Sequence, residues 1–87
     1  MKKIFVVFGS TGEYEDYREW NVRAFLNKKQ AEKFAIDCQQ LYDEQTKNVN
    51  FNKYAFINCN WKHPLDSNFQ TDYNGTKYYI SEVPLQI

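Results

Sequence analysis

The sequence predicts a small α+β domain spanning 1–87, an antiparallel sheet of about three strands with one main amphipathic helix packed on one face. Three stretches predict it. Asn27–Glu44 carries apolar residues at helical spacing, Lys3–Phe8 is a continuous run of β-formers, and Lys77–Val83 is a second β-forming run between Asn74-Gly75 and Pro84. The implied order is strand, strand, helix, an optional short second helix, strand. At 87 residues the chain holds one modest core.

The first strand, KIFVVF, is apolar at both alternating sets, Ile4/Val6/Phe8 and Phe5/Val7. A strand greasy on both faces belongs in the middle of a sheet. Gly9-Ser10-Thr11-Gly12 reads as the turn that ends it, and the polar Glu13–Arg18 as the connection. Glu19–Leu26 is the second strand. Its alternation places Trp20, Val22 and Ala24 on one face and Asn21, Arg23 and Phe25 on the other.

In the helix, Ala31, Phe34, Ala35, Cys38, Leu41 and Tyr42 form one stripe, while Lys29, Lys33, Asp37, Gln40 and Glu44 face water. Asn27 is the expected N-cap, with Gln30 completing a capping box and Leu26 stapling onto Ala31. Lys28 and Lys29 near the start, and Asp43 and Glu44 near the end, oppose the helix dipole. Packing therefore has to hold this helix.

Between 48 and 62 the asparagines disfavour a helix, yet Phe51, Tyr54, Ala55 and Asn58 have helical spacing; a short second helix is expected over Asn52–Ile57. His63-Pro64-Leu65-Asp66 is a turn, with His63 read as a surface residue. Asn74-Gly75 is a turn signal, and Pro84 stops the last strand.

Composition excludes more than it assigns. Eleven Lys and Arg balance eleven Asp and Glu, so neither an acidic nucleic-acid mimic nor bulk electrostatic binding to nucleic acid fits. The basic Met1-Lys2-Lys3 precedes an apolar run too short for a secretory leader, and no stretch approaches a membrane span. Two cysteines, Cys38 and Cys59, make no disulfide framework. The expectation is a cytoplasmic protein with reduced thiols and no membrane partner.

The first strand ending in Gly, Thr11-Gly12-Glu13-Tyr14, Trp20-x-Val22-x-Ala24-Phe25, His63-Pro64-Leu65-Asp66, Asp72-Tyr73-x-Gly75-Thr76-x-Tyr78 and Glu82-Val83-Pro84-Leu85 follow one another along the chain. Together they resemble a family of small uncharacterised phage and prophage proteins. The resemblance covers most of the chain, least of all 47–62. It implies a small α+β fold and brings no assigned reaction, so no functional residue is carried over.

Each chemical motif has a plain structural reading beside it. Gly9–Gly12 follows a strand as a phosphate loop would, but lacks the Gly-Lys-Ser/Thr ending and runs into Glu13, Glu15 and Asp16, which repel phosphate. Those carboxylates with Glu19 lack calcium-loop spacing and read as a solvated loop. Cys38, Cys59 and His63 match no zinc spacing, and nothing builds a catalytic set around the one histidine. No catalytic, cofactor or metal residue is assigned.

Aromatics make up 18 % of the chain, more than a one-helix layer can cover. Tyr14, Tyr17, Phe25, Trp61 and Tyr79 are the residues expected to meet a protein partner, and the uncovered sheet face is expected to build a homodimer or hetero-interface. The functional expectation is a non-enzymatic protein-binding or accessory module, phage-derived on the resemblance. The alternative is a small-ligand or nucleotide binder using Gly9–Gly12 and the adjacent acids.

Overall fold

β-branched and aromatic residues flanking the apolar centre of the first strand carry it through nine residues, Lys3–Thr11 (β1). The computed structural model describes residues 2–47, 62–71 and 75–85. After β1 come a 3-10 turn at Tyr14–Asp16, β2 (Arg18–Phe25), α1 (Lys28–Thr46) and β3 (Thr76–Pro84). The sheet is antiparallel in the order β2-β1-β3, with β1 central as expected. The expected helix Asn52–Ile57 lies outside the described residues. No helix of the described residues is long and apolar enough to cross a membrane.

β1 does not end at Phe8. Gly9, Ser10 and Thr11 continue the ladder to both neighbours, and the chain turns away only at Gly12, whose φ is +86°. Two side chains explain the extension. The Trp20 indole lies over Gly9, where a Cβ would stand 2.6 Å from a ring carbon. Thr11 Oγ1 donates to the Gly75 carbonyl at 2.7 Å, tying the end of β1 to the entry of β3.

β2 departs from simple alternation. Val7 pairs with Arg23 and Phe8 with Asn21, leaving Val22 without a partner: a β-bulge. One extra residue exchanges the faces beyond it. Trp20, Val22, Arg23 and Phe25 therefore all reach the helix side, where Phe25 stacks on Phe34 at 5.3 Å and the Arg23 guanidinium lies 5.0 Å from the same ring's centre. The expected placement of Phe25 opposite Trp20 is corrected by that bulge.

α1 starts as its sequence dictates. The Asn27 side chain accepts from the Gln30 N–H at 3.1 Å. The reciprocal half of the box and the staple do not form among the described contacts: Gln30 is exposed and Leu26 is 74 % exposed. Ala31, Ala35, Cys38 and Tyr42 are buried, with Phe34 and Leu41 beside them. Three small residues on the buried stripe let the helix approach the sheet closely, and Val7, Tyr78, Ala31, Ala35 and Cys38 form the core.

Candidate functional site: the open sheet face

With Val7 and Phe5 turned to the helix, alternation sends Ile4, Val6 and Phe8 to the opposite face. Register places Val83 beside Ile4, Ala24 and Ser81 beside Val6, and Asn21 and Tyr79 beside Phe8. Phe8 and Tyr79 stack at 5.6 Å. Among the paired residues of the three strands, charge enters this face only in the row of Ser10, as Glu19 and Lys77. Between Ile4, Val6, Phe8, Asn21 and Val83 lies a shallow hollow of about 410 Å³. Such a surface offers contact area, two neutral polar side chains, Asn21 and Ser81, and one carboxylate, Glu19, which also lines the hollow.

The residues expected at a partner surface divide between locations. Tyr79 is 47 % exposed and Tyr17 is 50 % exposed, and both line a hollow of about 210 Å³ with Ser10, Glu13 and Lys77. The Tyr17 hydroxyl donates to Glu19 Oε2 at 3.0 Å, and that bond holds its pKa above the ordinary tyrosine range. Tyr14 stands in the 3-10 turn, 94 % exposed and with φ +52°, a left-handed conformation unusual for a tyrosine. Phe25 belongs to the helix-side core, and Trp61 lies outside the described residues.

The ligand-loop alternative finds a strand where it needs a loop. Central in the sheet, Gly9, Ser10 and Thr11 direct their N–H groups into the two ladders and none toward a ligand. Glu13, Glu15 and Asp16 are exposed, and no group of three His, Cys, Asp or Glu among the described residues is arranged to hold a metal ion.

Beneath the sheet, on the helix side, the loop at 62–71 builds a buried polar cluster. Asp66, 2 % exposed, accepts through Oδ2 from Trp20 Nε1 and from the Tyr78 hydroxyl, both at 2.8 Å, and through Oδ1 from the Asn68 N–H at 3.1 Å. His63, expected at the surface, is 4 % exposed. Its Nδ1 accepts from the Leu65 N–H at 3.0 Å, so the ring proton sits on Nε2, which donates to the Cys38 carbonyl at 2.9 Å. Burial and the nearby Asp66 charge raise the Tyr78 hydroxyl well above its ordinary range. Burial first, then Asp66, pushes the Cys38 thiol up to about 12. Both oxygens of Asp66 and both ring nitrogens of His63 are taken by the chain itself. The cluster fastens a loop to the helix and two strands; its thiol is buried and held protonated.

No family model, curated protein or solved structure matches the chain.

The open face was foreshadowed by the doubly apolar first strand. The buried cluster carried no comparable signal. His63 and Asp66 flank Pro64-Leu65 as ordinary turn residues do, and their donors and acceptors, Trp20, Cys38 and Tyr78, are distant in sequence. The clue available was Trp20 and Tyr78 themselves, large rings whose polar atoms require partners once buried.

Proposed function

We infer that this chain is a non-enzymatic protein-binding module, an accessory protein of the phage type its motifs resemble, and that its open sheet face is the docking surface. The occupant it suits is a protein partner presenting an apolar helix or strand surface. The observation that carries the reading is the run Ile4, Val6, Phe8, Tyr79 and Val83, contiguous across β1 and β3 and without a charge among them, exposed at Tyr79 and Val83 and half-buried at Ile4, Val6 and Phe8. Contiguous apolar patches of this kind mark interaction sites more often than they mark solvent-facing surface. Stacked aromatic residues such as Phe8 and Tyr79 are the side chains that anchor interfaces.

A photo-cross-linking amino acid placed at Tyr79 tests it. In a lysate of the source cell it should capture a discrete partner, and Val6→Lys with Val83→Lys should abolish the capture while leaving the fold intact by circular dichroism. Equal capture by the parent and the doubly substituted chain would remove the open face from the reading.

A further inference from the structure

We propose that β3 offers its outer edge to β3 of a second copy of this chain, the two strands pairing antiparallel about a two-fold axis at Ser81. The edge itself shows what it binds. Gln39, reaching over from α1, accepts from the Tyr78 N–H at 2.9 Å and donates to the Thr76 carbonyl at 3.1 Å. A side-chain carboxamide there occupies the place of a neighbouring strand's peptide group. Because the Tyr78 N–H points away from β1, and β3 runs in unbroken register, the N–H and C=O groups of Ile80 and Glu82 point outward too. Neither residue has another hydrogen-bond partner for these groups among the described residues. Pro84, the next outward position, has no N–H to give. The free edge is thus a short window between Gln39 and Pro84.

Only one self-pairing uses that window fully. With the axis at Ser81, Ile80 of each copy exchanges two hydrogen bonds with Glu82 of the other, four in all. Tyr78, whose N–H is already taken by Gln39, falls opposite Pro84, which has none to offer. An axis at Ile80 would set Glu82 against the occupied Tyr78, and an axis at Glu82 would set Ile80 against Pro84; each loses bonds. Beyond the window, the twist of roughly 20–25° between neighbouring strands carries the two chains apart.

Charge favours the same axis. α1 descends along β3, with Gln39 level with Tyr78 and Lys28 level with Glu82, where its Nζ lies 3.8 Å from Glu82 Oε1. A two-fold at Ser81 therefore sets the first turns of the two helices antiparallel at the same level of the joined sheet, with Glu32 of each copy level with Lys28 and Lys29 of the other. Those lysines, unfavourable at the N-terminus of an isolated helix, then face an added acidic residue besides the Glu82 that Lys28 already pairs with. The other sheet edge is less suited: the bulge at Val22 interrupts β2, a common protection of edges. On the open face the pairing sets Tyr79 beside Val83 of the second copy, joining the two apolar stripes across one six-stranded sheet.

Ser81→Cys in a Cys59→Ser background tests the register. Residues facing across a non-hydrogen-bonded antiparallel pair have Cα atoms about 4.5 Å apart, within disulfide reach. Mild oxidation should therefore convert Ser81→Cys to a covalent dimer, while Val83→Cys, about 13 Å from its own copy at this register, should not cross-link. The parent chain should sediment as a dimer. Glu82→Pro, which removes an outward N–H and no backbone bond within the sheet, losing besides only the exposed ion pairs of Glu82 with Lys3 and Lys28, should weaken that dimer about tenfold or more. A parent chain that stays monomeric at millimolar concentration overturns the proposal. So does a dimer that Glu82→Pro leaves intact and Ser81→Cys does not trap. Either result would leave the open-face reading to its own cross-linking test.

Discussion

Gly9 shows how one absent side chain can organise several present ones. The Trp20 indole fills the space a Cβ would need, and from there its N–H reaches Asp66. Gly9→Ala should displace the indole and break that bond, costing about 1–3 kcal/mol as overpacking does. A urea titration measures the cost, and loss of the downfield shift of the Trp20 indole proton shows its origin. Asp66→Ala leaves the indole and the Tyr78 hydroxyl without their acceptor, about 1–3 kcal/mol for each buried group. Asp66→Asn keeps an acceptor and should cost clearly less. Equal losses would mean that the carboxylate's charge or its second acceptor oxygen, which the amide of the same shape lacks, is what the cluster needs. Tyr78 and Cys38 also set an alkaline limit. Both groups keep their protons in the folded state above the values of an unfolded chain, so folding binds protons there and stability must fall as pH rises. The loss begins near the ordinary thiol value of 9.0 and continues through the raised value of about 12. Urea midpoints should decline across that range, and Tyr78→Phe should flatten the decline; a level profile for the parent would contradict the burial argument.

At the scale of the element, the helix and strands follow from their own residues. The six-residue apolar stripe and the Asn27 cap define α1 without reference to anything distant, and Asn27→Ala should cost about 1 kcal/mol in thermal or urea unfolding. The doubly apolar β1 likewise declares itself central. What the sequence could not reveal is where local pattern yields to a neighbour. Val22 looks like any alternating strand residue, yet its lack of a partner turns Phe25 from the open face into the core. The length of β1 depends on Trp20 and Gly75, and the burial of His63 on a helix carbonyl at Cys38. Gln39 is a further case: on a helical wheel it is merely polar, but folded it satisfies two backbone groups of β3. Gln39→Leu should strip those groups of their partner. Amide exchange at Tyr78 should then accelerate at least tenfold over the parent, roughly the effect of losing one net hydrogen bond. Unchanged protection there would argue against the side chain's role.

For the whole molecule, the sheet has two unequal faces. One is closed by α1 and the 62–71 loop, with its polar atoms satisfied internally; no buried side-chain nitrogen or oxygen among the described residues lacks a partner. The other presents a stripe of apolar residues bounded by Asn21 and Ser81 and, in the row of Ser10, by Glu19 and Lys77. The functional reading rests on that asymmetry.

Of the three strands, the central one is made first. β1 pairs on one side with β2, a few residues later, and on the other with β3, where Lys3 meets Pro84 and Leu85 N–H reaches the Lys2 carbonyl. On the ribosome the β1–β2 hairpin can close early, but its β3 side stays open until the residues after Thr76 emerge. The Trp20–Asp66–Tyr78 cluster waits for the same moment. The nascent chain therefore carries an unpaired, greasy strand from the synthesis of β1 until that of β3, and a chain halted before β3 lacks the partner on which its middle strand depends. Refolding of the whole chain should accordingly be slow for its size, in milliseconds to seconds by stopped-flow, as expected where the decisive contacts join distant residues.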